Sequence, residues 1–345
     1  MLRNYDERLE NLRQRRFDEV LNESVVTKSF SATANTLGKA TRYALESMQS
    51  VERSYAMNTF KASDKVQANL ERELEKLGYS NEFRHQGSTM MNTSIKAHSD
   101  IDLLVITKKF ETLENPQVPT YPYRGNPLQD LKDLRRDSFS ILNNIYKDVD
   151  NNNSKAIKVH PTSPNRKVDV VIANWFNSNL YTQVSNEIYR GINFLDRDNN
   201  KRVECYPFLH INEVNDKGVR VNHGLHKLIR LLKNIKADIE TKINLSSFEI
   251  TSLLFGISDS SLRKSDKQQL LLLKEAQFQL GKLLRDSYYR DNLISPNQKE
   301  YVFRNKGKVD DLKKMKNEID TLIIDIQTEA YSNRIGGFNQ EIIYG

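Results

Sequence analysis

Three carboxylates in the middle of this chain have the type and spacing for metal-assisted phosphoryl chemistry. Asp100 and Asp102 stand two residues apart in the apolar run SDIDLLV. Strand side chains alternate faces, so in a strand these two would point the same way, with Cα atoms about 6.5–7 Å apart. Ile101, Leu103 and Val105 would then point into a core. Two carboxylates on one face of a strand otherwise fit for burial are costly without a cation. Hard oxygen ligands on a rigid strand suit magnesium, which takes further oxygens from substrate phosphates. Asp169 sits in a second apolar run, KVDVVIA, between Val168 and Val170. Brought beside the first two, it completes a site for two ions about 3.5–4 Å apart, able to clamp the attacking and leaving oxygens of a phosphoryl transfer. Each acid alone has a plainer reading, as a solvated or ion-paired strand-edge group or, for Asp169, a strand-end residue of a hairpin. The constellation gives them weight.

Gly87 and Ser88 precede this run, in GSTMMNTSIKAHSDIDLLV. Glycine lets backbone approach a phosphate closely, and successive N–H groups with a serine hydroxyl make an anion-binding nest. Alone, a Gly-Ser pair is a common turn.

The elements that must position these residues follow from periodicity and breakers. Helical spacing covers 5 to about 27 and then about 37 to 77, with Ser63 as a candidate restart and Gly78 as a C-terminal cap. An extended segment, Asn81–Gln86, leads into the Gly87 stretch and a strand over Asp100–Thr107. The prolines at 116, 119, 122 and 127 exclude regular helix or central strand between them. Leu131, Leu134, Phe139, Leu142 and Ile145 mark an amphipathic helix. Two strands, Ala156–His160 and Lys167–Ala173, flank the turn-forming PTSPNR, and a hairpin is expected over Gly191–Tyr206 with its turn at Asp198–Lys201. From about Asn222 the chain reads as helical, with a capping box at Ser265 and Gln268 before LLLLKEAQFQLGKLL and another helix over Asp310–Tyr331. Trp175 reads as a core anchor. Strands in the middle, flanked by helices, predict an α+β catalytic core over 1–215 and a helical second lobe over 216–345.

Composition narrows the class. The 345 residues are 28% charged and 38% hydrophobic, the balance of a globular protein, with a formal net charge of +7. No apolar run approaches the roughly 18 residues of a membrane span, and the N-terminal stretch lacks a signal-peptide core, so no membrane association and a cytoplasmic location are expected. One cysteine, Cys205, excludes an internal disulfide and a multi-cysteine zinc site. The charge excess is mild, and nucleic acid is not a required partner.

The order GS, TSI, DIDLLV and, later, KVDVV resembles the polymerase-β-type nucleotidyltransferases. Within them the chain resembles the cGAS/DncV-like branch, relatives of cyclic GMP-AMP synthase and oligoadenylate synthetase. ECYPFLHINEVN, KLIRLLKNIK and SSFEITSLLF extend the likeness, which covers roughly residues 85–255. The resemblance implies a polymerase-β-like core with a mixed β-sheet, long N-terminal spine helices and a helical second lobe. It implies that Asp100 and Asp102 hold two magnesium ions (manganese substituting), that Asp169 shares the catalytic ion and orients or deprotonates a ribose hydroxyl, and that Gly87 and Ser88 bind the β and γ phosphates. Lys233 matches a family lysine that reaches the triphosphate. It borders the apolar stripe, one turn after Ile229, and its plainer reading is a solvated helix lysine. His98, close before Asp100, reads as an exposed loop histidine.

The implied activity joins nucleoside triphosphates (ATP, GTP, CTP or UTP) into a cyclic di- or trinucleotide second messenger with release of pyrophosphate, in bacterial antiphage (CBASS) signalling. The alternatives are a linear oligonucleotide synthase and transfer to an RNA, protein or small-molecule acceptor. Some relatives are conjugated through their C-terminal residue by a ubiquitin-like transfer system, which makes Gly345 a candidate; an ordinary chain end is the plainer reading. One cysteine and scattered histidines cannot build the zinc-binding insertion of the animal enzyme.

Overall fold

A computed structural model describes residues 4–16, 37–51, 53–96, 101–304 and 307–335. The chain folds as two compact units. One gathers the described residues of 52–91 and 98–212, and the other those of 1–51, 92–97 and 213–345.

The first unit is a mixed sheet with two long helices packed on one face. Its strands are β1 (Asn81–Gln86), β2 (Ile101–Leu113), β3 (Val149–Asp150), β4 (Ile157–Val159), β5 (Val168–Asn177), β6 (Gly191–Asp196) and β7 (Lys201–Cys205). The order is β1-β2-β5-β4-β3, and β6 and β7 extend from the later half of β5. β2 and β5 run parallel and the other pairs antiparallel. A parallel pair needs a long crossover, and the Pro127–Ile145 helix supplies part of it. Pro127 begins that helix, and the Asn126 side chain accepts bonds from the Leu128 and Gln129 amides, satisfying donors that have no helical partner.

Alternation along β2 and β5 sorts their residues between two faces. Ile101, Leu103 and Val105, with Val168, Val170 and Ile172, pack on Ala62, Val66, Leu70 and Leu74 of the Arg53–Lys76 helix and on Leu131, Leu134 and Leu142. Leu104, Ile106, Val171, Ala173 and Trp175 form a separate cluster with Ile192. Trp175 is a core anchor, 2% exposed, with the Arg190 guanidinium 4.1 Å from its ring centroid.

The Arg53–Lys76 helix ends as expected at Gly78, whose φ is +83°. The Gly78 and Tyr79 amides turn back to the Glu75 and Leu74 carbonyls, a left-handed cap that suits glycine. The expected helix over 37 to 77 is two helices, Lys39–Met48 and Arg53–Lys76. The break falls at extended Gln49, and Ser63 is a fully buried position inside the second helix. β2 runs on to Leu113 through an irregularity between Thr107 and Glu111. ECYPFLHINEVN leaves β7 and enters a helix, Pro207–Arg220, before the expected helical region begins. Ser265 and Gln268 do share a side-chain bond, but a 3-10 turn follows and the serine caps no amide. A complete capping box lies at Ser246 and Glu249 instead.

The second unit is helical. Gly224–Asp238 is buried along most of its length through Leu225, Leu228, Ile229, Leu231, Leu232 and Ile235. Asp238 accepts both guanidinium arms of Arg15, at 2.5 and 2.7 Å, and the Tyr43 hydroxyl at 2.7 Å. The Val309–Ile335 helix meets the N-terminal helices through Tyr5 to Asp325, Arg8 to Glu318, and Glu329. Glu329 accepts the Ala40 amide, the Thr41 amide and the Thr41 hydroxyl, capping the Lys39–Met48 helix from a distant part of the chain. A Cβ on Gly38 would lie 2.1 Å from the Glu329 carboxyl carbon, so a larger residue there would displace the capping side chain. No described helix is long and apolar enough to cross a membrane.

Candidate active site

Asp102 and Asp169 are direct partners in the parallel register of β2 and β5. Neighbouring strands lie about 4.8 Å apart, and register partners share a face, so the two carboxylates stand together on the side away from the Arg53–Lys76 helix. Both are half-buried between fully buried neighbours. The register continues outward, with Gln86 opposite Asp102 on β1 and Lys158 opposite Asp169 on β4. One row across four strands therefore reads Gln86, Asp102, Asp169, Lys158. The two flanking residues escape a sequence reading because only the register brings them there.

Asp100 and His98 lie outside the described residues, as does Gly345. Among the described residues no group of three or more His, Cys, Asp and Glu side chains could hold a metal ion. Asp102 and Asp169 are two, and both offer hard carboxylate oxygens, the donor chemistry that magnesium accepts.

Gly87 sits at the end of β1 with φ +100°, a conformation open to glycine and strained for other residues. A Cβ there would lie 3.1 Å from Asp102 Oδ2. Glycine thus serves the backbone conformation and leaves room beside the carboxylate. Ser88 follows at once, and its carbonyl accepts the Met91 amide at 3.3 Å in a tight turn. Gly87 therefore lies beside Asp102.

Lys233 belongs to the helical unit, on Gly224–Asp238. It is half-buried, and its amine donates to the Thr93 carbonyl at 2.7 Å, in the segment that follows Ser88. Burial first, then the nearby cations Arg230, Lys236 and Lys96, push its pKa down to about 8. The plainer expectation of a solvated lysine does not hold, because its amine is bound to a backbone carbonyl and both burial and the neighbouring cations disfavour its charge. Arg230, one turn earlier, was not singled out by sequence. It is 4% exposed and donates to the Met48 carbonyl at 2.7 Å and the Asn92 carbonyl at 2.6 Å. Its signal was an arginine at helical spacing from the apolar stripe, easily read as a solvated edge.

Residues 212–324 match the model of the cGAS/DncV-like nucleotidyltransferase C-terminal helical domain. The chain is 34% identical to a c-di-GMP synthase of Capnocytophaga granulosa, over 94% of this chain and 99% of that one. It is 30% identical to a c-di-GMP synthase of Flavobacteriaceae sp., over 96% and 99%. This chain belongs to the cGAS/DncV-like nucleotidyltransferases. Solved structures agree. The STING-associated CdnE c-di-GMP synthase from Flavobacteriaceae sp. superposes with a TM-score of 0.81 at 29% identity, covering 95% of this chain and all of that one. Its counterpart from Capnocytophaga granulosa gives 0.79 at 32%, covering 94% and 99%. The Vibrio cholerae cyclase DncV, at 14% identity and 0.51, shares the fold. This cGAS/DncV-like nucleotidyltransferase accordingly has the α+β architecture with a mixed sheet that its motifs imply, and it is an enzyme of nucleotidyl transfer.

Proposed function

We propose that this enzyme joins two molecules of GTP into cyclic di-GMP with release of two pyrophosphates. The observation that carries the reading is the pairing of Asp102 with Asp169 beside Gly87. The choice of guanine rests on the c-di-GMP synthases that are 30–34% identical over nearly the whole chain.

In each transfer a ribose hydroxyl oxygen of one GTP forms a bond to the α-phosphorus of the other. The bond from that phosphorus to the bridging oxygen breaks, and pyrophosphate leaves with the electron pair. Asp169 orients the hydroxyl and receives its proton. The backbone at Gly87 and the Ser88 hydroxyl hold the β and γ phosphates, and Lys233 supplies a cation to the triphosphate. Asp102 and Asp169, with Asp100, would hold magnesium, two ions in all and replaceable by manganese, which when bound would neutralise developing charge on the phosphates. A second attack of the same kind closes the ring. Positioning and electrostatics provide most of the acceleration.

The product would act as a second messenger in antiphage signalling, in line with the STING association of the two similar synthases. The deciding experiment incubates the protein with magnesium and all four nucleoside triphosphates, digests with phosphatase and identifies products by mass. Phosphatase-resistant cyclic di-GMP is expected. Linear products alone would remove ring closure, and a cyclic product with other bases would remove the guanine assignment.

A further inference from the structure

The stretch between Ser88 and β2 passes through both units, because 92–97 belongs with the helical one while Met91 and β2 belong with the sheet. Two adjacent carbonyls in it are gripped by one helix. Arg230 Nη1 donates to Asn92 O at 2.6 Å and Lys233 Nζ to Thr93 O at 2.7 Å. The donors are three residues apart, hence on one helical face. Asn92 is left-handed, with φ +51°, a state that costs a non-glycine residue free energy and persists when its surroundings impose it.

We infer that Arg230 is a positioning residue for nucleotidyl transfer, acting by anchoring the 92–93 turn, four residues after Ser88, through the Asn92 carbonyl. Three observations support this. Arg230 is 4% exposed, so its bonds are made where unmet carbonyls are costly. Its geometry is a fork, with Nε bound to Met48 O while Nη1 reaches Asn92 O, so one rigid plane ties the end of the Lys39–Met48 helix to the turn. The neighbouring helix-end carbonyls have their own donors, Asn234 for Ser47 and Arg16 for Glu46 and Ser50. Arg230 also binds the turn, at Asn92. A lysine could not hold both carbonyls in that arrangement.

The catalytic consequence rests on the cyclase reading, so the test has a readout that does not need turnover. Arg230→Lys is compared with Asn234→Ala, whose lost bonds, to the Ser47 carbonyl and from Arg15, do not involve the turn. Amide hydrogen exchange is followed over residues 88–96, together with kcat and KM for GTP from pyrophosphate release. Arg230→Lys should speed exchange in that segment about tenfold or more and lower kcat about 10- to 100-fold, with KM changed less than about threefold, because misplacement acts on the barrier. Asn234→Ala should lower thermal stability yet leave segment exchange and kcat near wild type. Equal exchange in the two variants would overturn the anchor. Should Arg230→Lys not fold, Asn92→Val decides. A β-branched residue resists φ +51°, so kcat should fall with Arg230 intact, and wild-type kcat would refute the proposal. A wild-type protein that releases no pyrophosphate would end the cyclase reading, and the exchange comparison would still decide the anchor.

Discussion

Asp102 and Asp169 face each other across the parallel ladder of β2 and β5. Without a cation the two carboxylates repel, and this has a measurable signature. Asp102→Asn or Asp169→Asn should cut pyrophosphate release by about a thousandfold or more, since the loss falls on charge stabilisation in the transition state. Each variant should lose the rise in melting temperature that magnesium gives the wild type. A magnesium-dependent rise retained in both variants would contradict the assignment.

Gly87→Ala places a methyl 3.1 Å from Asp102 Oδ2 at a φ of +100°. The backbone strain alone costs about 1–2 kcal/mol. Urea denaturation should show that loss, and turnover should fall about tenfold or more as Asp102 is displaced. Full activity would mean that this contact does not matter to the reaction.

Lys233 has a folded-state pKa of about 8 against an ordinary 10.5. Between those values the unfolded chain binds more protons than the folded one, so this group's contribution makes stability rise with pH through that window. Triphosphate binding should favour the charged amine, so GTP should bind with proton uptake above pH 8. Titration calorimetry in buffers of different ionisation enthalpy would measure it. Lys233→Arg, always charged, should show much less uptake; equal uptake in both would detach Lys233 from the triphosphate.

Burial lowers the pKa of both His210 and His226 to about 4, with Arg230 and His223 adding to the effect at His226. The unfolded chain protonates both nearer pH 6.5, so stability should fall as pH drops from 6.5 towards 4. Each histidine contributes roughly 2 kcal/mol of that loss between pH 6.5 and 5. In urea titrations at these two pH values His210→Gln should lose correspondingly less stability than wild type, and an unchanged difference would mean that His210 does not titrate as described.

Much of the sheet unit was legible in the sequence because its signals are local. Asn81–Gln86 and the turn between β6 and β7 stand where alternation and turn residues put them, and Gly78 ends its helix for the reason glycine usually does. The pairing of Asp102 with Asp169 was legible because both interrupt apolar strands. What failed depended on tertiary context. Lys108 and Lys109, both exposed, made β2 look finished six residues early. The Lys39–Met48 helix stops at an extended Gln49 with no glycine or proline to mark it. The Pro207–Arg220 helix follows directly on a strand and contains Gly218, which sits there because a Cβ would strike the His226 ring. Arg230 and Gln86 gain their places only from a helix packing or a strand register, which no short window of sequence contains.

The Glu329 cap also bears on how the protein comes off the ribosome. Its acceptors serve Ala40 and Thr41, 288–289 residues earlier, and Tyr5 waits 320 residues for Asp325. Contacts of such sequence separation carry a loop-closure cost before any reward. The N-terminal helices are therefore made long before the carboxylates that fasten them. The sheet unit, whose described residues end at 212, can form during translation, whereas the helical unit closes only when its last helix emerges. A nascent chain stopped before Glu318 should hold a formed sheet and an unfastened N-terminal helix.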